Sequence, residues 1–96
     1  MNKQLTIFCS SEIAGMVTGV LSSSGIKGFM HLRGMGTNVI KKTALTHDLT
    51  WPADVFIVPA EEKAVRHIVE KLKSYAGKCE IEPCLKLIVS SVDEMY

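Results

Sequence analysis

The chain has 96 residues and a mass of 10.5 kDa, which is enough for one domain, residues 1–96, around one core. Its formal charge of +1 gives no net basic field, so we expect no nucleic-acid partner held through phosphates. No run of about 20 apolar residues occurs, and we therefore expect no membrane insertion. The N-terminal residues lack an apolar signal region, and three cysteines do not form a paired set, so we predict a cytoplasmic protein.

The first half of the chain predicts a strand, a helix and a second strand. Leu5–Cys9 is rich in strand formers, and Ser10 can cap the helix that follows. Apolar residues then recur at the spacing of one helical face: Ile13, Met16, Val17, Val20 and Leu21. Gly25 is suited to end this helix in a left-handed conformation, and residues 28–33 predict the second strand.

The second half predicts a long loop, a strand, a helix and a last strand. The tripeptide Gly34-Met35-Gly36 is expected to end the second strand, and the polar segment 34–52 is longer than an ordinary connection. Residues 53–58 are nearly all apolar and predict a third strand. The second helix is expected to start at Glu61 and to bury one stripe of residues: Ala64, Val65, Ile68, Val69, Leu72 and Ala76. Residues 85–90 predict the fourth strand.

This order, β-α-β-β-α-β, is typical of an α+β, ferredoxin-like fold with a four-stranded antiparallel sheet and both helices on one face. The face without helices would be polar in a monomer. Residues 55–58 and 87–89 of the last two strands are instead apolar in both registers, in a chain that is 47% apolar with a mean hydropathy of +0.20. The pattern indicates a homo-oligomer that stacks these faces, although a loop folded over the sheet is an alternative.

Residue types with catalytic or metal-binding potential are few. No nucleophile with a neighbouring base and no phosphate-binding loop motif is present, so we predict that the protein is not an enzyme. Cys79 and Cys84 form a C-x4-C pair, and His31, His47 or Cys9 could complete a zinc site. The pair could also form a disulfide or consist of two ordinary reduced cysteines.

Four stretches of the sequence resemble the PII signalling proteins, in particular the smaller PII-like group. Residues 25–29 resemble the family's turn between the first helix and the second strand, and Gly34-Met35-Gly36 resembles its G-F-G or G-R-G at the base of the T-loop. Residues 54–65 are similar to its third strand and second helix. Residues 86–92 resemble its K-I-F-V-x-x-V fourth strand.

This resemblance implies a homotrimer that binds an effector in the clefts between subunits. The effector would be an adenine nucleotide (AMP, ADP or ATP) or another small anion, and no cofactor would be bound tightly. Gly34, Met35 and Gly36 would border it, with Thr37 and Arg33 beside them, and Lys86 would meet its phosphates. Segment 34–52 would be the T-loop, through which the trimer controls a partner protein such as a transporter or an enzyme.

The sequence departs from the family at the loop before the fourth strand. Pro83-Cys84-Leu85-Lys86 replaces the family's G-D-G-K, so two glycines suited to phosphate contact are lost. Fewer phosphate contacts favour AMP or ADP over ATP. The CutA-type metal-tolerance trimers share the fold. The alternative function is therefore a CutA-like metal-binding trimer that uses cysteine and histidine ligands, namely Cys79, Cys84, His31 and His47.

Overall fold

The structure is a computed structural model that describes residues 1–38, 49–75 and 85–96. Within these ranges the chain forms four strands, two α-helices and one 3-10 turn: β1 (Asn2–Ser10), the turn (Ser11–Ile13), α1 (Ala14–Ser22), β2 (Met30–Asn38), β3 (Leu49–Glu61), α2 (Glu62–Lys73) and β4 (Leu85–Ser91). The strands make one antiparallel sheet in the order β2-β3-β1-β4. This is the predicted ferredoxin-like topology, in which each helix crosses between two strands that are not neighbours.

The predicted capping residues lie close to α1 but not at its ends: Ser10 caps the 3-10 turn before the helix, and Gly25 follows two residues after its C-cap, Ser23. The side-chain oxygen of Ser10 accepts a hydrogen bond from the Glu12 backbone N–H at 3.4 Å, and a 3-10 turn then leads into the helix. Gly25 has a φ of 73°, the left-handed conformation that glycine adopts without steric cost. The described helices include none that is long and apolar enough to cross a membrane.

All four strands extend beyond the predicted limits, and β2 and β3 do so in a way that changes the predicted loop. Strand β2 does not end at Gly34 but continues through both glycines, because they pair with Ala53 and Trp51 of β3. Strand β3 correspondingly begins at Leu49. Glycine is a poor strand former in isolation, but here the cross-strand hydrogen bonds with β3 override that preference. The two ends of segment 34–52 are therefore paired strands, and its middle, 39–48, lies outside the described residues.

Both helices pack on one face of the sheet and enclose the core. The buried apolar residues come from β1, β3, α1 and α2: Leu5, Ile7, Cys9, Ala14, Val17, Val20, Leu21, Phe56, Val58, Val65, Ile68 and Leu72. Alternate residues of a strand point to opposite faces, so this set accounts for the helix-facing side of the two central strands. The predicted stripes of α1 and α2 thus form most of the helical part of the core. Ile13, Met16 and Val69 pack against it while only partly buried, and Ala64 is outside it.

Ala14 is buried although the stripe did not include it, and Ala76 lies outside the described residues.

The opposite side of the sheet, which we call the open face, is largely apolar. It carries the side chains of Thr6, Phe8, Met30, Leu32, Val55, Ile57 and Ile88. Among these, Met30 is 59% exposed and Leu32 is 50% exposed. The predicted apolar second face is thus confirmed, and it is not covered by either helix.

Candidate functional site

The open face has a depression where large side chains are missing. Register places Gly34 of β2 beside Ala53 of β3, and Ala53 beside Ser10 of β1. Because none of these three residues carries a large side chain, the sheet surface is low along this row. The resulting cavity has a volume of about 510 Å³ and is called the hollow below. It is lined by Phe8, Cys9, Gly34, Met35, Gly36, Thr37, Trp51, Ala53, Asp54, Val55, Lys86 and Ile88.

Larger side chains stand on both sides of this low row. Val55 and Phe8 are cross-strand partners and lie two residues away along their strands. Trp51 lies two residues away in the other direction on β3. Two residues of a strand span about 6.6 Å, so the space between these walls has the dimensions of a small flat molecule. The walls are hydrocarbon or aromatic, which makes the hollow suited to burying an apolar ring.

Lys86 contributes the cation of the hollow. It is exposed at the start of β4, directly across from Phe8 in the register of β1 and β4. No other lysine or arginine among the described residues lines the hollow. An ammonium group at the edge of an apolar depression can attract one anionic group while the apolar part of the same ligand is buried.

The structure brings together most of the residues predicted to bind an effector. Gly34, Met35, Gly36, Thr37 and Lys86 all line the hollow, although Lys86 is distant from the others in sequence. Arg33 does not line it. Its side chain is 85% exposed, and its Nε atom lies 3.7 Å from the Asp54 carboxylate, which is buried on the helix-facing side of the sheet.

Behind the floor of the hollow, Asp54 is a buried carboxylate with several partners. It is 1% exposed, the Ser11 hydroxyl donates a hydrogen bond to it, and His31 Nε2 lies 2.5 Å from its Oδ2. Burial by itself raises the pKa of Asp54, but the Ser11 and His31 hydrogen bonds and the charges of His31 and Arg33 outweigh it. The pKa of this carboxyl is therefore lowered from its ordinary value of 3.8.

The residues of the alternative metal site are only partly within the described ranges. His31 is bound to Asp54 and stacks on Phe56 with ring centroids 4.2 Å apart. Cys9 is buried, and this burial, followed by the charge of Asp54, raises the pKa of its thiol to about 11. His47, Cys79 and Cys84 lie outside the described residues. Within residues 1–38, 49–75 and 85–96 no group of three potential ligands is placed to hold a metal ion.

Seven of the residues that line the hollow were not predicted to bind an effector, and three of these, Trp51, Asp54 and Phe8, are the most informative. Trp51 could be taken for the anchor of a long loop, and Asp54 interrupts an apolar strand without an evident partner in the sequence. Phe8 is distinguished by lying on the face opposite Leu5 and Ile7. The acid inside an apolar strand was a usable signal, because a buried carboxylate requires hydrogen-bond partners.

Comparison with known proteins identifies the fold but not a family. No family model matches the chain, and no curated protein matches its sequence. Among solved structures, the B. subtilis GlnK-ATP complex matches with a TM-score of 0.76 and 13% sequence identity. The match covers 96% of this chain and 84% of the other. At this identity the likeness establishes a PII-like fold.

Proposed function

We propose that the protein is a PII-like regulator that binds an adenine nucleotide in the hollow. One observation carries this proposal: four residues at the second strand and Lys86 of the fourth, chosen from sequence alone, line the same cavity. The shared fold adds support, because the matching B. subtilis protein was solved as a complex with ATP.

The chemistry of the hollow favours a ligand with an apolar ring and little charge. Its walls would bury the base, and the Lys86 ammonium would meet a phosphate at the rim. A single cation compensates one phosphate better than three, since each further phosphate adds charge without a partner. AMP or ADP is therefore the proposed effector, ahead of ATP, and the proposed role is regulatory and not catalytic.

The proposal includes a cytoplasmic homotrimer and a partner protein. The exposed side chain of Ile88 lines the hollow, and exposed Leu32 is the cross-strand partner of Val55 in its wall, so a neighbouring subunit on the open face would cover both. A site at this position would lie beside the subunit boundary. Segment 34–52 starts at the rim of the hollow, so an effector bound there could alter the position of the segment and hence its contact with a transporter or an enzyme.

Calorimetric titration with AMP, ADP and ATP tests the proposal on the wild type and a variant that fills the hollow. A side chain at Gly34 meets nothing within 4 Å among the described residues, and its φ is not positive. Gly34→Val should therefore fold normally, occupy the low row and weaken binding at least about tenfold. The matched control is Gly28→Val, where a side chain also meets open space but the residue is outside the hollow, and it should bind like the wild type.

A second pair of variants examines the cation. Lys86→Ala should weaken AMP while leaving adenosine unchanged, because adenosine has no phosphate, and Lys86→Arg should restore part of the affinity for AMP. If none of the three nucleotides binds to the wild-type protein, the proposed function is wrong. If they bind equally well to Gly34→Val, the hollow is not the site.

A further inference from the structure

Trp51 is the most deeply buried large side chain on the open face. It is 6% exposed, whereas Phe8 on the same face is 41% exposed and Leu32 is 50% exposed. The indole is also unique, since the chain contains one tryptophan. Trp51 therefore differs from its neighbours on the open face, because its ring is buried within the protein and also lines the hollow.

The position of the indole depends on Gly36. The two residues are cross-strand partners, and the space beside the Gly36 Cα is filled by the ring of Trp51. A Cβ atom built at Gly36 would lie 2.6 Å from Trp51 Cε2 and 2.8 Å from Cζ2. Real Cβ contacts are not this short, so any other residue at position 36 would displace the indole. Glycine at 36 thus allows the ring to lie across β2.

The indole of Trp51 lines the hollow together with Ala53, which belongs to the low row. The Cα atoms of Trp51 and Ala53 are two residues, or about 6.6 Å, apart along the strand, so a ring bound over the low row would lie next to the indole. Phe8 is two residues from Ser10 on the other side of the same row, so a flat ring placed there has an aromatic neighbour on each side.

We propose that Trp51 is the specificity-determining residue of the hollow and selects ligands that carry a flat aromatic ring, with Gly36 setting the position of the indole. This inference rests on the proposed function and names what the site would select. Non-aromatic anions of similar charge, such as pyrophosphate, would gain nothing from this wall and would be discriminated against even though Lys86 could attract them.

The emission of Trp51 provides a direct readout, because no other tryptophan contributes to the signal. Titration with AMP and with adenosine should change the intensity or wavelength of this emission at the concentrations where calorimetry detects binding. Pyrophosphate at the same concentrations should leave it unchanged. If the emission does not change, calorimetry on the same samples shows whether the ligand fails to bind or binds at a position that does not affect the indole.

Substitutions at Trp51 separate the aromatic role from simple bulk. Trp51→Phe keeps a ring and should retain most of the affinity for AMP. Trp51→Leu keeps an apolar side chain without a ring and should weaken AMP about three- to tenfold, the range expected for one aromatic pair. Any affinity for pyrophosphate should be the same in both variants.

A matched glycine pair tests the position of the wall without changing the indole itself. Gly36→Ala should shift the tryptophan emission of the free protein and weaken AMP. Gly34→Ala, two residues away on the same strand and face, should leave the emission of the free protein unchanged, because its added methyl meets open space among the described residues.

The possible outcomes distinguish this inference from the proposed function. If AMP binds by calorimetry but neither the emission nor Trp51→Leu responds, the inference is overturned and nucleotide binding stands. Should no adenine compound bind at all, the proposed function is wrong and the role of Trp51 is rejected with it. If Trp51→Leu does not fold, the emission titration of the wild type and the Gly36→Ala variant still decide between these outcomes.

Discussion

Asp54 is the residue whose environment most constrains the sheet next to the hollow. It lies between Ala53 and Val55, which line the hollow, but its carboxylate is buried on the helix-facing side. The partners Ser11 and His31 come from the start of the first helical segment and from β2. A buried carboxylate without such partners would cost several kcal/mol. The cluster therefore joins β3 to β2 and to the 3-10 turn at the level of the hollow.

The lowered pKa of Asp54 predicts an acid-dependent loss of stability. The unfolded chain binds a proton near pH 3.8, whereas the folded chain binds it at lower pH. The contribution of Asp54 to the free energy of unfolding is thus present in full above pH 3.8 and is lost as pH falls through the folded value. Urea unfolding between pH 5 and pH 2 should show a smaller pH slope in Asp54→Asn than in the wild type.

Two further variants make this measurement specific. Asp93→Asn removes a carboxylate from the exposed C-terminal residues and should keep the wild-type slope. Ser11→Ala removes the hydroxyl that donates to Asp54 and should move the acid transition to higher pH. This variant also serves if Asp54→Asn does not fold. Equal slopes in the wild type and in a folded Asp54→Asn would contradict the assignment.

Cys9 is predicted to be unreactive in the folded protein. Burial and the neighbouring Asp54 charge raise its thiol pKa to about 11, so about one thiol in a thousand is ionised at pH 8. In a Cys79→Ser, Cys84→Ser variant, Cys9 is the remaining thiol, and a chromogenic disulfide reagent should label it slowly in buffer and rapidly in urea. Fast labelling of the folded variant would show that the thiol is accessible.

At the scale of the elements, α2 shows the strongest separation of a buried and an exposed face. Ile68 is fully buried in the core, and the adjacent residue, His67, is exposed. Ile68→Ala should lower the free energy of unfolding by about 2–5 kcal/mol, because the cavity adds to the lost transfer energy. His67→Ala should change it by less than about 0.5 kcal/mol. Chemical unfolding followed by circular dichroism measures both, and equal effects would contradict the packing of α2.

Helix α2 and strand β2 together show which part of the structure the sequence could predict. The stripe of α2 and its approximate limits follow from a 3.6-residue period, which is a local signal. The continuation of β2 through Gly34 and Gly36 depends on pairing with β3, and pairing is not visible in a local window. Gly36 and Lys86 could be predicted because they belong to short motifs that resemble the family. Trp51 belongs to no such motif, and its position at the hollow became evident only from the cross-strand register that pairs it with Gly36.

The sequence shows that Asp54 is an acid inside an apolar strand, but it does not show which residues are its partners. In the sequence, Ser11 is accounted for as a residue at the start of a helical segment, and His31 is accounted for as part of a strand. Their common partner is distant from both along the chain, so geometry and not spacing brings them together. The topology of the sheet could be predicted, but contacts that depend on the register of β2 and β3 could not.

At the scale of the whole molecule, the open face is the feature that a monomer does not account for. Met30, Leu32 and Ile88 are large apolar side chains about half exposed on this one surface. Monomeric proteins rarely leave a contiguous apolar surface of this kind in water. The proposed trimer would bury it, so the wild-type protein should have three times the 10.5 kDa mass of one chain in light-scattering measurements.

Leu32→Asp tests this assembly, because it places a charge in the middle of the open face without touching the helix-facing core. A carboxylate buried in an interface without a partner is costly, so the variant should dissociate at concentrations where the wild type is assembled. His67→Asp introduces the same charge on the exposed side of α2 and should leave the mass unchanged. Sedimentation velocity over a hundredfold range of protein concentration compares the three proteins. A monomeric wild type, or a Leu32→Asp variant that keeps the wild-type mass, would show that the open face is not the surface through which subunits associate.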